Sequence, residues 1–439
     1  MSDETQIPSE ALEDFDTLED FDTLEDSGFT RRQFFSGMLG AGVLIAGSGL
    51  MVSGCAKKDV EVELRASIAQ AAPNAKVRTL EVSDTQVVAG YEFDGVPVEW
   101  VLSQESRIIE MPLGCLLYQA SDNTVCVLAP GEERNVLVRL ALLDLESGMM
   151  ANLLDRALND ANHYCIYDAR ASESAIIWVE YDMTEGDWIV YGATLIDKQL
   201  GKPIKLDESD EVYDPPMLCV HGSTVYWTRM PDATGPASTE DSYLKAANIT
   251  EGGVSNTRNA YTSHGRMLTN PQATDGYITI VPRVDTDTVR YQLTALDAHT
   301  DAVVAVSVLP SGLYVGDCVY MKGDFTFNIE ANYPFAEGLR FFGTYRQFSN
   351  DTVFHANRVP SMPAVAMDDK LIIKSTFNVV GFDLTRQQSF IVEKPSDSAD
   401  FGDLLAGVGV QNKLVVYTTI INKSNAERSY VRARVYNPI

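Results

Sequence analysis

Six cysteines and five histidines are the side chains of this sequence best suited to ligating a metal or attacking a substrate. The histidines are His163, His221, His264, His299 and His355. His163 lies two residues before Cys165, and His221 two residues after Cys219. Residues two apart share one face of an extended chain. Cys115, Cys165, Cys219 and Cys318 each open a short apolar run, CLLY, CIYD, CVHG and CVYM. Equivalent positions elsewhere carry Leu268, Val365 and Val408, so the place accepts a small or medium apolar residue, and buried Cys behaves as one. Cys126 stands across a turn at residues 121–123 from Cys115, a spacing that allows a disulfide between Cys115 and Cys126. No C-x-x-C pair is present, so no metal site is expected. Nor is there an H-E-x-x-H, a G-x-S-x-G or a phosphate-cradling glycine loop. No residue is assigned a catalytic role and no cofactor is expected. The group to watch is His163, Asp168, His221 and Asp317, candidates to line one mouth of a central channel.

Such a channel depends on the elements that hold these residues. Strand runs with turn signals recur along the chain: NTVCVLA, SAIIWVEY, STVYWTRM, GYITIVPR, DFTFNIEA, DKLIIKST and NKLVVYTT. One apolar marker in each (Val125, Ile177, Val225, Ile278, Phe327, Ile372, Val415) gives steps of 52, 48, 53, 49, 45 and 43 residues. A shorter strand precedes each marker strand, and one or two follow it. Several units carry an Asp-centred turn, as in ALLDLESG, TALDAHTD and VGFDLTRQQ. Four strands at this period describe the blade of a β-propeller, and blades must stack in a ring to bury both faces. The expected fold is all-β, with seven four-stranded blades over 114–439 closed by an N-terminal strand from the region 77–103. Tandem β-sandwiches are the alternative. Residues 76–113 are expected to hold N-terminal strands and a hairpin at Asp94-Gly95. Helices are expected over 57–72 (within a stalk at 56–75), over 149–159 and over 400–406.

The N-terminus carries a different message. Residues 1–29 are an acidic leader that repeats EDFDTL, and their charge and spacing predict disorder. Thr30-Arg31-Arg32-Gln33-Phe34 resembles the twin-arginine (Tat) export motif, with Arg31, Arg32 and Phe34 as its matching residues. No charged residue follows until after Gly54. Val52-Ser53-Gly54-Cys55 resembles the lipobox of bacterial lipoproteins, so residues 30–55 are read as a Tat signal with lipobox. That resemblance implies acylation of the Cys55 thiol, cleavage before it, and anchoring to the bilayer at the outer face of the cytoplasmic membrane. It also implies the Tat translocase as a partner during export. An uncleaved single transmembrane anchor is the alternative, since about 20 residues span a bilayer. The turn TALDAHTDAVV resembles those of quinoprotein-like propeller repeats, a family that includes bacterial assembly lipoproteins. The closing Trp of that turn is absent, and no quinone site is implied.

Net charge is −28 over 439 residues, and the first 54 residues hold 11 acids and two arginines. So acidic a body excludes nucleic acid as a partner, because phosphate binding needs a basic surface. The expected function is a binding or assembly module that acts through the propeller surface on an unidentified protein or ligand. An extracytoplasmic lyase or hydrolase at the channel mouth is the first alternative. An accessory protein of an exported redox complex is the second.

Overall fold

The computed structural model describes residues 71–439 apart from 81–85, 104, 132–136, 160–162, 211, 235–239, 285–289, 334–338, 340, 349–351, 357–361, 400 and 426–428. Arg31, Arg32, Phe34 and Cys55 lie outside the described residues, as does the expected helix at 57–72 except its last two positions. Those two open a strand, Ala71–Thr79. Among the described residues no helix is long and apolar enough to cross a membrane.

A strand buried on both faces reads as a continuous apolar run. The seven markers follow this rule. Each sits on the second strand of a separate sheet, and none is more than 1% exposed. The described residues form seven sheets of four to six strands, numbered 1 to 7 here in chain order. Sheet 3 shows the plan: Leu218–His221, Thr224–Arg229, Ser242–Thr250 and Gly253–Ser263 run antiparallel, each beside the last. Seven apolar clusters fill the seams between consecutive sheets. The last joins Leu404, Val415 and Val431 of sheet 7 back to Leu117, Val125 and Leu143 of sheet 1. The sheets therefore stand round an axis as an all-β propeller, with the first strand of each innermost.

Asp144, Asp297 and Asp383 end the third strand of sheets 1, 4 and 6. Asp297 Oδ1 accepts from the backbone N–H of His299 (3.0 Å) and Thr300 (2.9 Å) and from the Thr300 hydroxyl (2.9 Å). Asp144 and Asp383 accept from the backbone two or three residues on in the same way. A side-chain acceptor that mimics a backbone carbonyl is why Asp starts turns. The positive φ at Gly148, Asp301 and Gln387 then returns the chain.

The N-terminal segment departs from the expectation. It forms four strands: β1 (Ala71–Thr79), β2 (Gln86–Ala89), β3 (Asp94–Gly95) and β4 (Arg107–Pro112). The first three add, parallel, to the outer edges of sheets 4, 5 and 6. β4 pairs antiparallel with Tyr430–Tyr436 and completes sheet 7. The closing strand is thus 107–112, not a strand from 77–103, and Asp94-Gly95 makes no hairpin, because the residues on either side join different sheets. The segment is a belt, and it plugs each seam it crosses. Leu80 fills the seam of sheets 4 and 5, Phe93 that of 5 and 6, Val101 and Leu102 that of 6 and 7, and Ile109 and Met111 that of 7 and 1. Phe93 packs on Phe354 and Phe382 with ring centroids 5.5 and 6.1 Å away. Gly90 passes so close that a Cβ there would come within 2.9 Å of both rings.

Two further helices expected from spacing are strands. Met150–Leu154 is the outer strand of sheet 1, where Leu153 and Leu154 pack on sheet 2. Leu404–Leu405 is the inner strand of sheet 7. In both, apolar residues follow the needs of a seam and mimic a helical stripe.

Candidate functional site

All inner strands run the same way, so the ring has two faces. The chain enters each inner strand at an inlet face and turns to the second strand at a hairpin face. His163 precedes Tyr164–Ala171 with φ 65° and is exposed at the inlet face. Asp317 opens Asp317–Met321 at the same face. His221 ends Leu218–His221, at the hairpin face. A strand of four residues rises about 10 Å from first to last, so His221 cannot join the other two at one mouth. Its ring instead meets His299 edge-on at 5.6 Å across the seam of sheets 3 and 4. Burial, then the neighbouring His299, holds its pKa below the usual imidazole value.

Asp168 lies midway along its inner strand and is occupied. Its carboxylate pairs with Arg170 Nη1 and accepts from the Ala169 N–H at 2.9 Å. The Arg170 guanidinium stacks 3.6 Å from the Tyr118 ring centroid and donates to Ala169 O at 2.8 Å. Burial raises the Asp168 carboxyl, and Arg170 opposes this. The two charges cancel within one strand. Arg170 was missing from the sequence candidates, although its spacing of two from Asp168 was the available signal.

The axis is also crossed by the chain itself. Between its first two strands, sheet 7 sends residues 406–411 (Ala-Gly-Val-Gly-Val-Gln) across the centre. Gly409–Val410 pairs parallel with the inner strand Val365–Met367 of sheet 6. The Val410 N–H donates to Thr274 Oγ1 of sheet 4 at 2.7 Å. Ala406 O accepts from the Gln119 N–H of sheet 1 at 2.7 Å. Gly409 has φ 68°, and a Cβ there would lie 2.3 Å from Thr274 Oγ1. Glycine alone fits this crossing.

At the inlet face Asp317 has company. Its N–H donates to Asn328 Oδ1 at 2.8 Å. Glu330 is exposed as a residue, yet its carboxyl turns in against Gly316, where a Cβ would lie 2.4 Å from Oε1. Burial, then the Glu330 charge, raises the Asp317 carboxyl well above the usual range, and burial raises Glu330. Two carboxyls that resist ionising together can hold and release a proton, which is general acid–base chemistry. Among the described residues His163 forms no hydrogen bond or ion pair with either of them.

The cysteines fit the apolar reading. Cys115, Cys126, Cys165, Cys219 and Cys318 are buried and free. Burial pushes the first three to about 12, so they are neutral thiols at physiological pH. The Cys115–Cys126 disulfide does not form, and strand parity gives the reason. Cys126 pairs with Tyr118, three residues from Cys115. An odd offset puts the two on opposite faces, Cys115 toward sheet 7 and Cys126 toward sheet 2. Among the described residues no group of three or more His, Cys, Asp or Glu could hold a metal ion.

No protein family model matches the sequence, and no curated protein matches it. Solved structures resemble it distantly. One, from work on two prolyl endopeptidases, has 12% identity and TM-score 0.48, covering 71% of this chain and 45% of that one. The β-propeller domain of the Trilobed protease from Pyrococcus furiosus has 10% identity and TM-score 0.39, covering 63% and 83%. BamB from Moraxella catarrhalis has 14% identity and TM-score 0.32, covering 77% and 100%. This chain spans about half the length of the peptidases it matches. Likenesses this distant carry no activity, substrate or partner across.

Proposed function

We propose that this chain is a lipoprotein exported by the Tat translocase, anchored through acylated Cys55 at the outer face of the cytoplasmic membrane. Its seven sheets act as seven blades, and its loop faces bind a protein partner in an assembly. The observation that carries this reading is the filled axis. Residues 406–411 and the Arg170–Tyr118 stack occupy the space where a small ligand would enter. A crossed axis leaves the loop faces as the place to bind, which suits a macromolecule better than a small substrate. Crosslinking on intact membranes followed by pull-down tests it, with discrete partners expected. Cys55→Ala should abolish acyl labelling, and replacing Arg31 and Arg32 by Lys should block export. Unchanged labelling or normal export would refute the respective assignment.

A second reading, hydrolysis at the inlet face, is favoured by the raised carboxyl pair Asp317 and Glu330. It requires that Asp317→Asn or Glu330→Gln abolish a hydrolytic activity of the exported protein while leaving partner capture intact.

A further inference from the structure

The most exposed aromatic side chains among the described residues are Tyr91 (73%) and Trp100 (70%), and both belong to the belt. They flank one sheet edge. Tyr91 lies in the turn Gly90–Glu92, beside the seam of sheets 5 and 6 that Gly90 and Phe93 enter. Ile391 shares that side, since its partner Val380 faces the same seam. Trp100 ends the turn Val98–Trp100 beside the seam of sheets 6 and 7. Ile439, 73% exposed, lies next to it, its N–H donating to Val101 O at 3.3 Å. Ile108 shares that side through its partner Arg434, whose guanidinium reaches Asp403 in the same seam. Exposed apolar side chains thus line both flanks of the outer edge of sheet 6.

We propose that this edge rests on a lipid bilayer, with Trp100 and Tyr91 at the headgroup level. The inference rests on the lipid-anchor reading of Cys55. Ala71, where the belt begins, is 16 residues beyond Cys55, a stretch that fully extended spans no more than about 55 Å. The belt is therefore the part of the body tied most closely to the membrane. A tether of that length raises the local concentration of bilayer, so a weak contact suffices to orient the ring. Trp and Tyr are the side chains that favour the water–lipid interface. Glu92, Asp94 and Glu99 are exposed beside them, so the surface preferred is zwitterionic, not anionic. Seated on its rim, the ring keeps both faces open to a partner.

The tryptophans make a direct test possible. Trp178, Trp188 and Trp227 are fully buried, which leaves Trp100 as the exposed one of four. The full acylated chain is placed on phosphatidylcholine vesicles brominated near the headgroup. About a quarter of the tryptophan emission should be quenched. That loss should vanish in Trp100→Phe, and acrylamide should cease to reach Trp100. If vesicle-bound, acylated protein keeps Trp100 open to acrylamide, the seating is wrong and the anchor reading stands. Shielding from acrylamide without bromine quenching would mean a protein partner or a second copy covers the edge, which also overturns lipid seating. A chain that carries no acyl group and fails to float with vesicles overturns both readings.

Discussion

Asp317 is where residue-level chemistry and stability conflict. Asp317 is a buried residue whose carboxyl feels the negative charge of Glu330 and, among the described residues, forms no ion pair. Its folded pKa is raised, so the folded state holds the proton more tightly than the unfolded one. The stabilisation this brings is fully present below the unfolded value near 3.9 and is lost as pH rises through the folded value. Asp317→Asn keeps the shape and the backbone N–H donation to Asn328 Oδ1. We expect it to stabilise the fold by about 1–3 kcal/mol at pH 7 and to be neutral near pH 3.5. Thermal melts of both proteins across that range check this, and an equal effect at both ends would refute it. Sequence reading grouped Asp317 with His221 at one mouth. The error is one of strand direction: a residue opening an inner strand and one closing it lie on opposite faces. Polarity alone carries no such information.

At the scale of elements, the second strands and the Asp turns were plain in the sequence because each obeys a local rule. The markers are buried on both faces and so form apolar runs, and Asp297 needs only its own next three residues to make its turn. The belt obeys no local rule. β2 has four residues and β3 has two, and their partners lie roughly 265 and 294 positions away. Its strongest signal was Phe93 in a polar context, and the chemistry of that residue is tertiary. Phe93→Ala should cost about 3–5 kcal/mol, as for other buried aromatic truncations. Chemical denaturation would measure it, and a cost below about 1 kcal/mol would show the plug to be idle. The axial crossing at 406–411 makes a matching claim. Gly409→Val meets Thr274 and requires φ 68° of a β-branched residue, so it should destabilise by about 2 kcal/mol or more. The paired change with Thr274→Ala should relieve only the steric part, leaving the backbone strain.

For the whole molecule, the belt divides the ring unequally. Sheets 4, 5 and 6 have covered outer strands, and β4 itself completes sheet 7. Sheet 3 ends at Gly253–Ser263 and sheet 1 at Met150–Leu154, with no belt strand beyond. Native-state hydrogen exchange should therefore be slower along Val303–Val308 and Thr352–Ala356 than along Met150–Leu154 and Gly253–Ser263. Equal protection would mean that the belt adds nothing to the edges it covers. The belt also sets an order in time. Residues 71–112 leave the ribosome before any of the sheets they join, whose edges become available in turn as Val303, Thr352, Gln388 and Tyr430 are made. Contacts that distant close slowly. The last belt strand, β4, can seat only once Tyr430–Tyr436 has been made, so a closed sheet 7 certifies that the strands of the six sheets before it are already available.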